Sequence, residues 1–270
     1  MTGARSEAVA SDLTVGYSTL ARRVGRLAPV ADDRVRTLVV VQDPDADVPG
    51  AAPDIAGAGV VVTMAGGGVA RSRNRAIDLC ETRYLLFGDD DVEIDVDAVL
   101  EAVAMLRETG AAIALGYGID METGVSRKRH PARTTRLTAR NSGRAATYEM
   151  VIDVDQCRRA GVTFDTRFGA GAVLPLGDEY LFIVDAVRAG LAGYSVPLAF
   201  GRHPHHSSGS DWDKSAHLVS RAAVLERAFG AWAPLARAAF ATRHMRRMGG
   251  LRGAWRFAFT RPVLPARPAA

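Results

Sequence analysis

The sequence has little cysteine and no long apolar run. Its 270 residues include only Cys80 and Cys157, too few for a disulfide scaffold and without the spacing of a zinc site. No run of about 18 apolar residues occurs, which excludes a simple membrane-spanning helix. Residues 1–12 mix polar and charged types and lack an apolar core, so we expect no secretory signal peptide. These absences predict a cytoplasmic protein.

Lysine is nearly absent, and positive charge is concentrated at one end of the chain. Lys128 and Lys214 are the two lysines, so arginine supplies 32 of the 34 basic residues. The net charge is +4, but residues 218–270 hold ten arginines against one acid, Glu226. The rest of the chain is therefore net acidic. A basic C-terminal segment predicts an acidic partner surface, such as phosphate, nucleic acid or anionic lipid.

The first half of the chain alternates short apolar runs with helical patterns. Hydrophobic residues make up 48% and charged residues 24%, so the chain can build a sizeable globular core. Apolar residues recur at helical spacing from Val96 to Leu106, and Gly110 ends the pattern. Five apolar runs predict strands at 13–16, 38–41, 60–62, 84–87 and 111–115. Strands separated by helices predict an α/β fold, with a parallel or mixed sheet and helices packed on it.

The second half is less regular. Residues 126–144 hold seven basic residues and no acid, which predicts an exposed loop or hairpin. The pattern beyond Trp212 is mostly helical. Between these segments we predict an outer strand at 148–154, a helix at 178–189 and an extended segment at 194–200.

Three consecutive acids, Asp89, Asp90 and Asp91, directly follow the apolar strand at 84–87. Ligands of open α/β sheets bind beyond the carboxyl ends of the strands, where such acids can converge on one divalent ion. Carboxylate oxygens suit Mg²⁺ or Mn²⁺, and substrate phosphates often complete the coordination. The alternative is an acidic turn that begins the helix at Val96.

A glycine-rich turn at 66–68 precedes a helix with Arg71, Arg73 and Arg75. Glycines before a helix let backbone N–H groups approach an anion, and arginines pair with phosphate. The stretch is not a Walker A loop, because no Gly-Lys-Ser/Thr follows. By itself it fits a flexible turn before a solvated, arginine-rich helix face better than an anion site.

Two further clusters lie in the second half. Asp178 and Glu179 open a helix, where a carboxylate could act as a general base, or Asp178 could simply cap the helix. His203, His205 and His206 lie in a short polar segment that could supply a metal ligand or form a surface loop.

Taken in order, these segments resemble glycosyltransferase family 2, the inverting enzymes with the GT-A fold, over about residues 12–209. The resemblance implies a GT-A domain at 1–210, with a nucleotide-binding half at about 12–115 and an acceptor half at about 116–210. A basic helical tail at 211–270 would follow. The matching stretches are Gly-Val-Ala-Arg-Ser-Arg-Asn-Arg-Ala-Ile (68–77), Tyr-Leu-Leu-Phe-Gly-Asp-Asp-Asp (84–91), Phe-Asp-Thr-Arg-Phe-Gly-Ala-Gly (164–171), Gly-Asp-Glu-Tyr-Leu-Phe (177–182) and Arg-Ala-Gly-Leu (188–191).

The resemblance implies roles for the donor-side residues. Asp89 matches the first acid of the family's Asp-x-Asp motif, which contacts the ribose or the donor sugar, and Asp90 lies within that motif. Asp91 matches the last acid, which binds the Mn²⁺ or Mg²⁺ that bridges the diphosphate. Arg73 matches a position near the base and phosphates, and Thr19 lies in the first loop, which meets the nucleotide.

Two positions depart from the family pattern. The family often has Asp at the end of its second strand to read the base, where this chain offers Gln42 or Asp43. The family's catalytic base matches Glu179, but the usual Glu-Asp order is inverted, so Asp178 is the alternative. His203 lies near a late metal or phosphate ligand of some members.

By resemblance, the expected reaction moves a sugar from a nucleotide diphosphate sugar, by default a UDP-sugar, to an acceptor hydroxyl with inversion. The acceptor would be a glycan or a lipid-linked glycan in polysaccharide biosynthesis, and no nucleic-acid partner is expected. Arginines and aromatic residues interleave in the tail. Such a tail either contacts the inner face of the cell membrane peripherally or packs on the core.

Three other functions fit parts of the sequence. A haloacid dehalogenase-like phosphatase also has Asp-x-Asp after a strand, but usually after the first strand of the sheet. A sugar nucleotidyltransferase has a similar sheet, but its glycine-rich basic signature is missing after the segment at 13–16. A non-enzymatic protein could bind anionic surfaces through the basic tail.

Overall fold

The computed structural model describes residues 12–126, 128–204 and 215–266. The strands are β1 (Leu13–Leu20), β2 (Arg36–Asp43), β3 (Val60–Ala65), β4 (Tyr84–Asp89), β5 (Glu93–Ile94), β6 (Ile113–Asp120), β7 (Thr135–Arg136), β8 (Met150–Asp153) and β9 (Gly193–His203). The helices are α1 (Val69–Leu79), α2 (Val96–Thr109), α3 (Val154–Arg159), α4 (Asp178–Arg188), α5 (Ser215–Phe229), α6 (Ala233–His244) and α7 (Leu251–Phe259). Short 3₁₀ helices occupy 21–26, 147–149, 230–232 and 245–248.

One mixed, mostly parallel sheet organises the molecule, in the order β3-β2-β1-β4-β8-β6-β9-β5, with β7 paired to β9. The long pairings β1–β2, β1–β4, β2–β3 and β6–β9 are all parallel. The short pairings made by β5, β7 and β8 are antiparallel. The α/β sheet with flanking helices predicted from the sequence is therefore confirmed.

The strand predicted as an outer one is an inner one. β8 lies between β4 and β6 and pairs antiparallel with both. Met150, Val151 and Ile152 are completely buried, because helices cover both faces of the sheet at this point. A four-residue apolar run carries no signal of its place in the sheet order, which distant pairings decide.

The core has two layers, one on each face of the sheet. Strand β2 shows the alternation: Leu38 and Val40 pack with α1, α3 and α4 on one face, while Val39 and Val41 pack with α2 on the other. Burying each such side chain contributes about 1.5–3 kcal/mol. Central strands covered on both faces are continuous apolar runs, as the sequence shows.

Helix α2 has a defined beginning and end. The Asp95 side chain accepts a hydrogen bond of 3.0 Å from the backbone N–H of Ala98 and caps the helix. Gly110 follows the last turn with φ of 68°, a left-handed conformation that glycine adopts at low cost. The sequence-based boundaries of this helix are confirmed.

The C-terminal helices pack on the rest of the molecule through α4. Ala223, Val224 and Ala228 of α5 are buried against Leu181 and Val184 of α4. Helices α6 and α7 pack on each other and on α5 in a further apolar cluster. The mostly helical pattern predicted beyond Trp212 is confirmed from Ser215 to the end of α7 at Phe259. Within the described residues, we find no helix that is both long and apolar enough to cross a membrane.

Candidate active site

The parallel strands β1, β2 and β4 end at one edge of the sheet. Ser18 on β1 pairs with Asp89 on β4, and Leu20 on β1 pairs with Gln42 on β2. The acid triplet and the polar ends of β1 and β2 therefore meet where ligands of open α/β sheets bind. The sequence predicts this convergence correctly, because the carboxyl ends of parallel strands lie together.

The glycine-rich turn packs against the acceptor half. Gly68 precedes α1 with φ of 111°, and the next N–H, that of Val69, donates to Ala170 O at 2.9 Å. A Cβ at Gly171 would lie 3.1 Å from Gly68 N. The turn thus joins the two halves of the site, and the Val69 N–H is already bonded within the protein.

Arg73 connects the acid at the end of β4 to the two acids at the start of α4. It is 5% exposed; its Nη2 lies 3.5 Å from Asp89 Oδ1, and its Nη1 lies 3.7 Å from Glu179 Oε1 and pairs with Asp178 Oδ2. Burial acts to lower the pKa of Arg73, but the charges of Asp178, Asp89 and Glu179 outweigh it and raise that pKa above its ordinary value. Arg73 is therefore a permanent cation in the floor of the site.

The three acids of the triplet have different surroundings. Asp89 is partly exposed at the end of β4, and burial raises its pKa while Arg73 opposes the rise. Asp90 is almost buried, and both of its oxygens have partners. Its Oδ2 accepts a hydrogen bond from Thr19 Oγ1 at 2.9 Å, and its Oδ1 pairs with Arg23 at 2.6 Å. Asp90 and Thr19 therefore hold the acid triplet in place, whereas the carboxylates of Asp89 and Asp91 are more exposed.

His203 and Asp91 form the candidate metal pair. His203 Nε2 lies 3.5 Å from Asp91 Oδ1. Its Nδ1 lies 2.6 Å from Pro204 O, so Nδ1 carries the proton and donates it. Two adjacent ligands of one ion, each at about 2.1 Å, lie roughly 3 Å apart, so the pair needs little movement to share a cation.

The donor set fits a divalent ion only in part. Among the described residues, no group of three or more His, Cys, Asp or Glu side chains is arranged to hold a metal. One carboxylate and one imidazole suit Mn²⁺ better than Mg²⁺, which prefers oxygen ligands. Diphosphate oxygens of the substrate would complete the coordination. His205 and His206 lie outside the described residues.

Asp178 and Glu179 share the first turn of α4 but differ in exposure. Asp178 is buried against Arg73 and Gly169. Burial and the charge of Glu179 raise the pKa of Asp178 to about 7, against the lowering effect of Arg73. The Glu179 side chain is 22% exposed and accepts a hydrogen bond of 2.9 Å from Thr147 Oγ1. Of the two acids, Glu179 is the one that solvent can reach.

Gln42 and Asp43 end β2 with different polar environments. Gln42 is 4% exposed; its Nε2 donates to Ser72 Oγ at 3.0 Å, while its Oε1 is buried and, in the described part of the chain, has no hydrogen-bond partner. Asp43 instead stabilises a turn, since its Oδ1 accepts from Asp45 N and its carbonyl accepts from Gly66 N. The unpaired oxygen of Gln42 is the one suited to read a ligand.

A cleft of about 310 Å³ opens beside the acid triplet; it is lined by Tyr17, Ala28, Val30, Asp89, Asp90, Asp91, Val92, Glu93, Ile94 and Met121. A cavity of about 390 Å³ lies on the C-terminal side, and its lining residues, which include Val173 and Val263, carry no titratable side chain. We therefore assign the site to the smaller cleft. Arg23 and Thr147 are site residues that the sequence analysis missed.

Comparisons with known proteins give the same picture. Residues 32–159 match the glycosyl transferase family 2 profile. The structure resembles S. aureus TarS 1–349, with a TM-score of 0.55 and 15% identity over 87% of this chain and 72% of that one. It also resembles TarS 1–349 in complex with UDP-GlcNAc, with a TM-score of 0.58, 15% identity and coverages of 87% and 73%. Against S. aureus TarS without that truncation, the coverage is 43% of that chain. No curated protein sequence matches.

Proposed function

We propose that this chain moves a sugar from a nucleotide diphosphate sugar to an acceptor hydroxyl with inversion, because residues 32–159 match the glycosyl transferase family 2 model and the fold resembles that of S. aureus TarS 1–349. The meeting of the two acidic segments at Arg73 carries this proposal. Arg73 lies within 4 Å of Asp89 at the end of β4 and of Glu179 at the start of α4. A donor held beside Asp89 and an acceptor held beside Glu179 would therefore lie on either side of the Arg73 guanidinium.

The donor we propose is a UDP-sugar. Gln42 Oε1 is buried without a partner in the described part of the chain, so it offers an acceptor for a base N–H, such as the N3–H of uracil. Burying this oxygen without a hydrogen bond costs free energy, and a hydrogen bond from a base would offset that cost. TarS 1–349 has been solved with UDP-GlcNAc and with UDP.

The leaving group is a nucleoside diphosphate, whose growing negative charge needs a cation. Asp91 and His203 would hold Mn²⁺ or Mg²⁺, which supplies Lewis-acid stabilisation when bound. Asp89 would orient the ribose or the donor sugar. Arg73 stays charged beneath these groups and fixes the direction of the Asp89 carboxylate.

The base we propose is Glu179. An acceptor hydroxyl attacks the anomeric carbon only as its proton leaves, and a carboxylate on the face opposite the diphosphate can take that proton. Thr147 Oγ1 donates to Glu179 Oε1 and orients the carboxylate. Asp178 is paired with Arg73 and buried, so it positions Arg73 rather than contacting the acceptor.

The acceptor we propose is a glycan or a lipid-linked glycan in polysaccharide biosynthesis. Both cysteines are buried and unpaired, which supports a reducing, cytoplasmic compartment.

A phosphatase of the haloacid dehalogenase type loses support, because the acids end β4 and three strands precede it in the chain.

Calorimetry with UDP, GDP, dTDP and CDP, each with and without Mn²⁺, tests the proposal. We expect UDP to bind best, and Mn²⁺ to strengthen its binding. Asp91→Asn should remove the Mn²⁺-dependent part, because a neutral amide is a weaker metal ligand. Asp95→Asn is the matched control, since Asn caps α2 as well as Asp does.

Two results would contradict this proposal. If Asp91→Asn and Asp95→Asn bind UDP with the same response to Mn²⁺ as the wild type, Asp91 does not hold the metal. If none of the four nucleotides binds under any condition, the donor assignment fails.

A further inference from the structure

Helix α7 exposes a row of large apolar side chains. Leu251, Trp255 and Phe259 recur every four residues and are 75%, 67% and 66% exposed. The Trp255 and Phe259 rings contact each other with centroids 5.4 Å apart. Side chains at this spacing lie on one face of a helix. We call these three residues the α7 ridge.

Another face of α7 is buried in the protein. Ala254, Phe257 and Ala258 are buried, and the Phe257 ring packs on Phe240 of α6, with centroids 5.5 Å apart. Arg237 of α6 donates to the carbonyl of Ala258 at 3.2 Å. The sequence left open whether the aromatic residues of the tail pack on the core or face outward. In the structure, one face of α7 packs on the protein and another face is exposed.

Exposed arginines lie beside the ridge on α7 and in the segment that precedes this helix. Arg252 and Arg256 are exposed on α7, and Arg243, Arg246 and Arg247 are exposed at the end of α6 and in the following turn. The one acid in 215–266 is Glu226, and it pairs with Arg237 and Arg261.

The charges in this region also repel one another. Burial and the neighbouring charge of Arg247 lower the pKa of Arg221, and burial together with Arg243, Arg247 and Arg221 lowers the pKa of His244.

The helical unit is fixed to the acceptor side of the active site. Gly177 precedes Asp178, and a Cβ at Gly177 would lie 2.3 Å from the Val224 side chain of α5. Ala223 and Ala228 of α5 pack on α4 as well. A surface bound by α7 would therefore hold the start of α4 at a fixed position relative to that surface.

We propose that α7 is a peripheral membrane anchor for anionic phospholipid bilayers. The α7 ridge enters the interfacial region, and the flanking arginines bind lipid phosphates. Amphipathic helices with Trp, Phe and Leu on one face and arginines beside them bind in this way. A second copy of the chain fits less well, because pairing two ridges would bring two arginine-rich surfaces together, and three side chains fall far short of the roughly 800 Å² per partner that stable dimers bury.

Vesicle co-sedimentation of the full chain, without donor or acceptor, tests the anchor. We expect binding to vesicles of phosphatidylcholine with phosphatidylglycerol at low salt, release at high salt, and little binding to phosphatidylcholine alone. Trp255→Ser combined with Phe259→Ser should lower the partition coefficient at least about tenfold. Val48→Ser combined with Val125→Ser is the matched control, since both valines are more than 60% exposed elsewhere.

A charge variant tests the arginines separately. Arg252→Gln combined with Arg256→Gln should lower the partition coefficient about tenfold or more, since each basic residue near an anionic surface is worth about 1 kcal/mol. Arg133→Gln combined with Arg159→Gln, two exposed positions away from α7, should leave it unchanged. Brominated lipids should quench Trp255 fluorescence, and Trp255→Phe should remove that part of the quenching.

Several outcomes would overturn the anchor. The anchor is wrong if both the ridge variant and the charge variant partition onto vesicles as the wild type does. It is also wrong if the matched controls lose as much vesicle binding as these variants. Concentration-dependent dimerisation that the ridge variant abolishes, without vesicle binding, would assign the ridge to a second copy. Retention on nucleic acid without vesicle binding would assign the arginines to a different polyanion. Because vesicle binding is measured without turnover, failure of the anchor leaves the transfer proposal standing, and the reverse also holds.

Discussion

Arg73 decides how the acids of the site divide their roles. A buried guanidinium left unpaired would cost several kcal/mol, and here Asp178 satisfies it directly while Asp89 and Glu179 lie 3.5 and 3.7 Å away. Asp178 is thereby held inside the protein. Glu179 keeps an exposed oxygen and a donor, Thr147, that orients it. The inverted order of the acid pair thus places the more exposed carboxylate second.

Substitution of each acid should separate the two roles. Glu179→Gln should leave UDP affinity unchanged and lower kcat by about 10² or more, the usual scale for loss of a general base. Asp178→Asn should lower both the melting temperature and the affinity for donor, because Arg73 loses its direct partner. Steady-state kinetics and calorimetry on the two variants check this. Near-wild-type kcat in Glu179→Gln, with saturating donor and acceptor, would move the base elsewhere.

The sequence predicts the acids of the site better than the residues that hold them. Asp89 and Asp91 come at the end of an apolar strand, so their position at the edge of the sheet is readable from the chain. Glu179 opens a helix whose start is marked by Gly177. Arg23 carries no such signal, because an arginine in a short 3₁₀ turn resembles any surface arginine, and its partner Asp90 is distant in sequence. The sequence gives no signal for Thr147 either, because its contact with Glu179 depends on how the segment at 147–149 packs against α4.

At the scale of elements, the contact between α4 and α5 sets the start of the acceptor-side helix. Gly177 has φ of 96°, and a Cβ there would meet Val224 at 2.3 Å. Gly190, at the other end of α4, has a similar φ of 84° with nothing within 4 Å of a Cβ. Both glycines therefore adopt a left-handed backbone, but only at Gly177 would a side chain also clash with a neighbour.

Alanine at these positions should therefore have unequal effects. Gly190→Ala should cost about 1–2 kcal/mol for the left-handed backbone alone. Gly177→Ala should cost clearly more, because Val224 must move, and Val224→Ala in the same chain should recover part of the difference. Urea unfolding gives the three free energies of unfolding. Equal losses for Gly177→Ala and Gly190→Ala would show that α5 does not press on the start of α4.

The same scale shows what periodicity can predict. The strands of the first half and helices α2 and α4 follow from apolar spacing and glycine stops, and their types are confirmed. The inner position of β8 does not follow, because its three buried residues, Met150, Val151 and Ile152, would look the same at the edge of a sheet. Sheet order is a long-range property.

At the scale of the whole molecule, the basic segment is part of the core as well as a surface. Phe168, Leu174 and Leu181 of the acceptor half share one apolar cluster with Ala223 and Ala228 of α5. The boundary at 210 predicted from the sequence follows a change in charge, which says nothing about packing. These contacts argue against an independent tail, because the segment shares an apolar cluster with the rest of the chain.

We therefore predict that the chain unfolds in one cooperative transition, in which α5–α7 and the sheet melt together. A chain ending at Gly249 loses α7 and should melt at a lower temperature with its single transition intact. A chain ending at residue 214 uncovers Phe168, Leu174 and Leu181, so it should melt still lower and bind a hydrophobic dye. Each 1 kcal/mol lost lowers the melting temperature by about 2–4 °C in a domain of this size. Two separate calorimetric transitions, with an unchanged melting temperature for the chain ending at 214, would show that 211–270 is an independent tail.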